Sequence, residues 1–441
     1  MIIDIDHNTL ATIKNDALHN YAKQYVDIYD DFRTQIASFG VELETQDNRP
    51  QIAERLERLY KKGAHLRNDN KSVYINAISP SCVACQTGVG SATYFISLRC
   101  HRNCFYCFNP NQENYKHFST EKRDVSDELR NAAAQRIRMQ HLALTGGEPL
   151  LFKEQALDFF HTAQQEFPRA YTRLYTSGDQ ADAATLSALK EAGLQEIRFS
   201  IRMHDTEKAR QFTLERIRLA KKYIPYVMVE MPVLPGTLDQ MKSLLTELER
   251  IGIFSINLLE LCFPLNNAEE FQQRGYRIKA RPYRVLYNYW YAGGLPIAGS
   301  EELCLDLLEF ALDSGFKMGV HYCSLENKHT GQVYQQSQLM TPSSITYASR
   351  KDFFLKTAKV FGEDIPKVKE SFERKKKIMY QEQPEYGYLE FNVSHIRLLS
   401  NLDVEIGIST NILEQRDDGQ VLRELKMDLT TPQAFDFAKD L

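Results

Sequence analysis

No run of about 18 consecutive apolar residues occurs in the chain, so nothing in it reads as a membrane-spanning helix. The opening residues MIIDIDHNTL lack the basic-then-apolar order of a secretory signal, and the expected location is the cytoplasm. Charge of one sign is missing as well: 54 Lys and Arg against 58 Asp and Glu leave a net charge of -4 over 441 residues. Such a balance offers no general attraction for nucleic acid or an anionic membrane, and neither is an expected partner. Internal repeats and low-complexity tracts are also absent. Cysteine is scarce, with 8 in 441 residues. Five of those cysteines nevertheless sit in two tight groups, Cys82 with Cys85 and Cys100 with Cys104 and Cys107. In a reducing cytosol that clustering points to metal ligation or catalysis more than to disulfides.

At about 150 residues per domain, the length allows roughly three units. Residues 10–63 carry apolar positions at helical spacing, among them Leu18, Tyr21, Tyr25, Ile28, Phe32 and Ile36, and read as an N-terminal helical cap. A β-branched stretch at 72–78 precedes a loop holding Cys82, Cys85, Gly88 and Gly90. Short apolar strands at 93–98, 141–145, 173–176, 196–201, 226–234 and 255–261 then alternate with amphipathic helices near 126–138, 153–166, 182–192, 206–223 and 238–251. Strict alternation implies parallel strands joined by right-handed crossovers. The expected fold is α/β, a partial (β/α)6 TIM-like barrel, with an insertion at 266–300, a helix at 301–313 and one more strand at 316–322. Past the basic run at 374–377, alternating segments at 387–399, 404–408 and 421–429 read as a small β-rich C-terminal domain. Asp418-Gly419 supplies its hairpin turn, and Thr431-Pro432 would cap a closing helix. The expected division is 1–70 for the helical cap, 71–345 for the barrel, and 346–441 for a helical linker with the β-rich domain.

Chemistry concentrates just past the first barrel strand, in Cys100-His101-Arg102-Asn103-Cys104-Phe105-Tyr106-Cys107. Thiolates at these intervals can reach three corners of one [4Fe-4S] cube and leave the fourth iron open. Structural zinc usually closes with four protein ligands, and no fourth lies nearby. Gly146-Gly147-Glu148-Pro149 follows at the next strand end, Thr176-Ser177 at the third, Ser200 with Arg202 at the fourth, and Val233-Leu234-Pro235-Gly236 at the fifth. Barrel active sites gather at these carboxyl ends.

Spread over residues 92–262, this set resembles the radical S-adenosylmethionine (SAM) superfamily. The resemblance implies that Cys100, Cys104 and Cys107 ligate a [4Fe-4S] cluster whose open iron is chelated by the amino and carboxylate groups of SAM. It implies that Tyr106 and Leu234 contact the adenine, and that Gly146, Gly147 and Glu148 receive the SAM amino group. Thr176, Ser177, Ser200 and Arg202 would serve the ribose and the methionine carboxylate. A flavodoxin- or ferredoxin-like reductant is implied as the electron source, with a 5'-deoxyadenosyl radical that takes hydrogen from substrate.

Cys82-x-x-Cys85 is half of an iron or zinc site, with Cys323 and Cys262 as candidate further ligands. A loop entering the first strand should, however, lie at the opposite end of the barrel from both. Cys304 reads as core. The CxxC loop and the extra C-terminal domain are similar to the methanogenesis-marker arginine C-methyltransferase group, which implies an extra iron site and bound cobalamin. The string His321, Ser324, Glu326, Asn327, Lys328 and His329 suits substrate contact, a proton relay or a solvated loop, and 277–284 a charged surface or a hold on an acidic substrate group. Trp290 with Tyr287, Tyr289 and Tyr291 reads as helix packing. The expected activity is SAM-dependent C–H activation on a peptide or protein substrate. The alternatives are a cobalamin-assisted C-methyltransferase, a glycyl radical enzyme activase and a non-enzymatic iron-sulfur scaffold.

Overall fold

The computed structural model describes every residue except 291, 340–342, 376–377 and 418, so Tyr291, Lys376, Lys377 and Asp418 lie outside the described residues. The chain divides into two units, one of residues 39–282 with 289–329, the other of residues 1–38, 283–288 and 330–441. No helix among the described residues is long and apolar enough to cross a membrane.

The first unit is built on a nine-stranded sheet. Its strands are β1 (His65–Arg67), β2 (Ser72–Ile75), β3 (Ser91–Phe95), β4 (His141–Thr145), β5 (Tyr171–Thr176), β6 (Glu196–Phe199), β7 (Tyr226–Val233), β8 (Ser255–Glu260) and β9 (Gly319–Cys323). β3 to β9 are parallel and lie side by side in chain order, while β2 joins the β9 edge antiparallel and β1 pairs with β2. The intervening helices are Val125–Ala134, Lys153–Glu166, Ala183–Glu191, Glu207–Ala220, Leu238–Ile251 and Ser300–Asp313. Asp124, Asp182 and Thr206 cap three of them with side-chain oxygens on orphan N–H groups. The expected mixed α/β fold with a parallel sheet is therefore present, including its additional strand.

Successive residues of a strand face opposite sides of the sheet. One set, with Leu144, Leu174, Phe199, Val229, Leu258 and Val320, is fully buried core. The other set, with Thr145, Arg173, Arg198, Glu230, Asn257 and His321, lines a single cavity of about 470 Å³. Among the described residues no pairing joins β1 to β3, so the sheet is an open, partial barrel around that cavity. The amino ends of the strands are plugged by the Pro80–Ala84 helix: Ser79 Oγ donates to Glu196 at 2.7 Å, and Ser81 Oγ lies 3.2 Å from His141 Nδ1.

The second unit is an antiparallel sheet in the order Ile3–Asp4, Gly419–Thr430, Ile406–Arg416, Leu355–Phe361, Tyr388–Phe391, Tyr380–Gln383. Its core includes Leu18, Ala22 and Val26 of the Asp16–Ala37 helix, packed with Phe361, Met427 and Leu429. The expected cap over 1–70 is therefore corrected. Residues 1–38 join the β-rich unit, because Ile3–Asp4 adds a strand to the Gly419–Thr430 edge and the following helix covers the sheet's apolar face. Residues 39–70 go with the barrel, where Arg55, Arg58 and Lys62 of the next helical stretch pair with Asp306, Glu309 and Asp313. The strand expected at 387–399 stops at Phe391, since Asn392 Oδ1 accepts the Ser394 N–H and starts a 3-10 turn. The closing helix is one turn, Phe437–Asp440, capped by Asp436 rather than by Thr431-Pro432. Trp290 lies in a turn, 48 % exposed and stacked on Tyr289, not on a helix.

Phe391 is fully buried, edge-on to Phe372 at 5.0 Å. Phe391→Ala is expected to destabilise this unit by about 3–5 kcal/mol. Urea unfolding followed by circular dichroism measures it, and an unchanged midpoint would deny that this cluster holds the unit together.

Candidate active site

The cysteine loop leaves β3 at Phe95 and is stitched to the turn after β4. Gly147 N–H donates to Ser97 O at 3.1 Å, and Glu148 N–H to Arg99 O at 2.9 Å. A Cβ on Gly147 would stand 2.0 Å from Arg99 O, and one on Gly146, at φ 131°, would stand 2.6 Å from Ser97 O. The close approach these glycines permit is thus to the backbone of the cysteine loop itself.

Glu148 is 1 % exposed, and its carboxylate is fixed on both oxygens. Oε1 accepts from Thr176 Oγ1 at 2.7 Å and Leu150 N–H at 3.1 Å, while Oε2 accepts from Ser177 N–H at 2.6 Å. Ser200 lines the same cavity, its N–H held by Thr176 O at 3.0 Å. Arg202 is 4 % exposed and also lines the cavity. Its Nε donates to Asp205 at 2.8 Å, yet its buried Nη2 has no hydrogen-bond acceptor among the described residues. A buried donor left in that state is costly until an acceptor arrives.

Two carboxylates that sequence reasoning missed hold the cysteine loop. Arg102 grips Asp179 with two bonds, 2.7 and 2.5 Å, and His101 reaches the same group at 2.5 Å. Asp205, bonded to Arg202, lies 4.0 Å from the Arg102 guanidinium. Burial pushes the Asp179 carboxyl up, but the Arg102 and His101 hydrogen bonds prevail and hold it down at about 2. Its contribution to stability is present above the ordinary carboxylate range, about 4, and is lost as pH falls from there toward 2.

Cys100, Cys104 and Cys107 line the cavity at its carboxyl-end rim. Burial pushes all three thiols up, Cys104 to about 11, so a metal must displace their protons to bind. Tyr106 stands edge-on to Phe105 at 4.9 Å and His204 at 5.5 Å. Leu234, expected in the site, is buried but not part of the cavity lining; the β7 wall is Glu230 and Pro232. The chain turns away just there, with Thr237 Oγ1 closing on Leu234 O at 2.7 Å.

Deeper in the barrel lies a polar network. Arg198, 3 % exposed, donates to Glu196 and Glu230 at 2.6 Å each, to Ser79 Oγ at 3.0 Å and to Cys82 Sγ at 3.4 Å. Asn257 Nδ2 donates to Glu230 at 2.7 Å and to Cys82 Sγ at 3.2 Å. His321 spans Asn257 Oδ1 and Ser72 Oγ, both at 2.8 Å, and burial pushes it down to about 3, so it is neutral. Because the Pro80–Ala84 helix enters the barrel, Cys82 and Cys85 line the same cavity as Cys262 and Cys323, which removes the topological obstacle expected for that loop. Burial pushes the Cys85 thiol up and Cys323 to about 12. Among the described residues no three His, Cys, Asp or Glu side chains are already drawn together as a metal-binding group. Cys304 is core, fully buried in its helix. Within 277–284, Lys279 is not a surface charge: it is buried between Glu260 and Glu301. The string after His321 opens the Leu325–Gln338 helix instead of a solvated loop.

Residues 94–248 match the model of the radical SAM superfamily. Within those bounds the chain is similar to the radical SAM superfamily. The match supports an enzyme of the radical SAM class. A Methanocaldococcus jannaschii protein, named as a candidate glycyl-radical enzyme activating enzyme, is 29 % identical over 255 residues, 55 % of this chain. The chain spans 62 % of the length of that relative. Among solved structures, Streptococcus suis SuiB bound to the precursor peptide SuiA is 11 % identical with a TM-score of 0.40, covering 72 % of this chain and 67 % of that one. The radical SAM methyltransferase TsrM from Kitasatospora setae, with cobalamin and a [4Fe-4S] cluster bound, is 16 % identical with a TM-score of 0.36, covering 51 % and 52 %.

The radical SAM loop depends on the missing Cβ of Gly147. Gly147→Ala is expected to leave the apo chain folded but to lower cluster occupancy roughly tenfold, read as lost absorbance in the 400 nm region and lost bound iron after anaerobic reconstitution. Wild-type iron content in that variant would show the stitching to be dispensable.

Proposed function

We propose that the chain reductively cleaves SAM and removes a hydrogen atom from a protein or peptide substrate. One observation carries the reading: the three motif thiols, the fixed carboxylate of Glu148 and the unsatisfied Nη2 of Arg202 all line one cavity. These residues fit the groups the family uses. Cys100, Cys104 and Cys107 would hold a [4Fe-4S] cluster, which with bound SAM supplies one-electron chemistry and a carbon radical. Arg202 would accept the methionine carboxylate as a charge-assisted pair, satisfying its orphan donor. Glu148, held open by Thr176 and Ser177, would receive the amino group. Tyr106 would pack against the adenine. Arg102 and Asp179 keep the loop in register so that these groups converge, and the plugged floor of the barrel keeps bulk water from entering behind the substrate. A protein or peptide as substrate is supported by the name of the M. jannaschii relative, whose activation target is an enzyme.

Anaerobic reconstitution followed by dithionite reduction with SAM is the direct test. Wild-type protein is expected to form 5'-deoxyadenosine, and Cys104→Ala none. Turnover in the Cys104 variant would end the proposal. Arg202→Met is expected to weaken SAM binding by about 1.5–3 kcal/mol, roughly 10- to 150-fold; unchanged affinity would remove Arg202 from the SAM site.

A further inference from the structure

The charges facing the cavity do not balance once their internal partners are counted. Glu148 is bonded to Thr176, Ser177 and Leu150, Glu230 to Arg198 and Asn257, and Glu260 to Lys279 and the Leu325 N–H. Arg102 is spent on Asp179, and Arg198 on Glu196 and Glu230. Arg173 remains. It is only 9 % exposed and lines the cavity, yet it makes no hydrogen bond or ion pair with any described residue, and its buried Nε has no acceptor. Its guanidinium carbon lies 5.8 Å from the centre of the Tyr175 ring, and its charge acts on the neighbouring Cys85 and His141. Lys328 lines the same cavity and forms no close ion pair among the described residues, its charge acting on Glu230. A buried guanidinium without a counter-ion is costly, and proteins keep one where an anion comes and goes.

We infer that Arg173, with Lys328 across the cavity, is a subsite for a carboxylate carried by the substrate. The inference rests on the reading that this cavity is the substrate chamber of a radical SAM enzyme. Arg173 precedes Thr176 by three residues on β5, which places it roughly 10 Å deeper than the Glu148 end of the site. The floor below it is closed by the Ser79–Glu196 and Ser81–His141 contacts, so an inserted group must end there instead of threading through. An acidic side chain or a chain-terminal carboxylate meets both conditions, and the planar guanidinium can take either with two parallel bonds. The C–H bond to be broken then lies on the stretch between that carboxylate and the level of Thr176.

The test uses the reconstituted full chain with SAM bound and three small probes in calorimetric titration at low salt. N-acetyl-glutamate α-amide carries only a side-chain carboxylate, N-acetyl-glutamine only a main-chain carboxylate, and N-acetyl-glutamine amide no charge. At least one charged probe is expected to bind roughly tenfold or more tightly than the neutral one, and which one does so identifies the source of the carboxylate. Arg173→Met is expected to erase that preference, and Arg173→Lys to retain part of it. Thermal melting checks the fold: removing an unpartnered buried charge should leave the melting temperature equal or higher, whereas a purely structural arginine would lower it. If the Met variant does not fold, the Lys variant and the wild type decide. Equal binding of all three probes to wild type, or a charge preference that survives Arg173→Met, overturns the inference. So does an iron or zinc count above four metals per chain that disappears in Cys82→Ala with Cys85→Ala, since a thiolate-bound metal would then be the anion that Arg173 faces. A wild-type protein that forms no 5'-deoxyadenosine would instead overturn the functional reading, and the two failures are separately visible.

Discussion

The barrel interior depends on Arg198. A guanidinium 3 % exposed at the middle of a parallel sheet must be paired on nearly every N–H, and here it is, by Glu196, Glu230, Ser79 and the sulfur of Cys82. Those partners come from its own strand, from the neighbouring β7 and from the floor segment. One side chain therefore fixes the height at which the Pro80–Ala84 helix enters the barrel. That height decides that Cys82 and Cys85 face the cavity and that the floor is shut. Asn257 and neutral His321 extend the same network to β8, β9 and β2, so the far wall is set by it too.

At the opposite end the controlling constraint is steric rather than electrostatic. The cysteine loop can lie along the 146–148 turn only because two residues there lack a Cβ, and the hydrogen bonds from Gly147 and Glu148 then set its path. Glu148 leaves that turn pointing at Thr176 and Ser177, so the loop, the glycine turn and the end of β5 are positioned as one body. Arg102 and His101, inside the cysteine motif, bind the same Asp179 and close the arrangement from the other side. The motif thus supplies its own anchoring residues between its ligands.

The two ends do different work on one cavity. The carboxyl end collects groups suited to a cluster and a charged amino acid cofactor, with Arg202 left one acceptor short. The amino end is sealed and keeps Arg173 without a counter-ion among the described residues. Unsatisfied donors at both levels are consistent with two anionic groups arriving from outside the chain.

Strand and helix spacing, the parallel order of the sheet and the motif at Cys100, Cys104 and Cys107 were legible in the sequence, because alternation and short-range spacing are local properties that survive without knowledge of the fold. Glu148, Thr176, Ser177 and Arg202 were named through the family resemblance, and each sits at a strand end whose position the periodicity marks. The interior network could have been suspected from charged residues at every second position, as in Glu196-Ile197-Arg198 or Val229-Glu230, since a strand buried on both faces should read as continuously apolar. Its pairing could not, because Arg198 meets Cys82 and Ser79 across more than a hundred residues of sequence. Only the tertiary structure decided that the CxxC helix enters the barrel, that residues 1–38 leave the barrel for the C-terminal sheet, that Leu234 turns away from the site, and that Arg173 has no hydrogen-bond or ion-pair partner among the described residues. Each of these depends on which distant surface a segment finds to bury or pair with, and no local pattern encodes that choice.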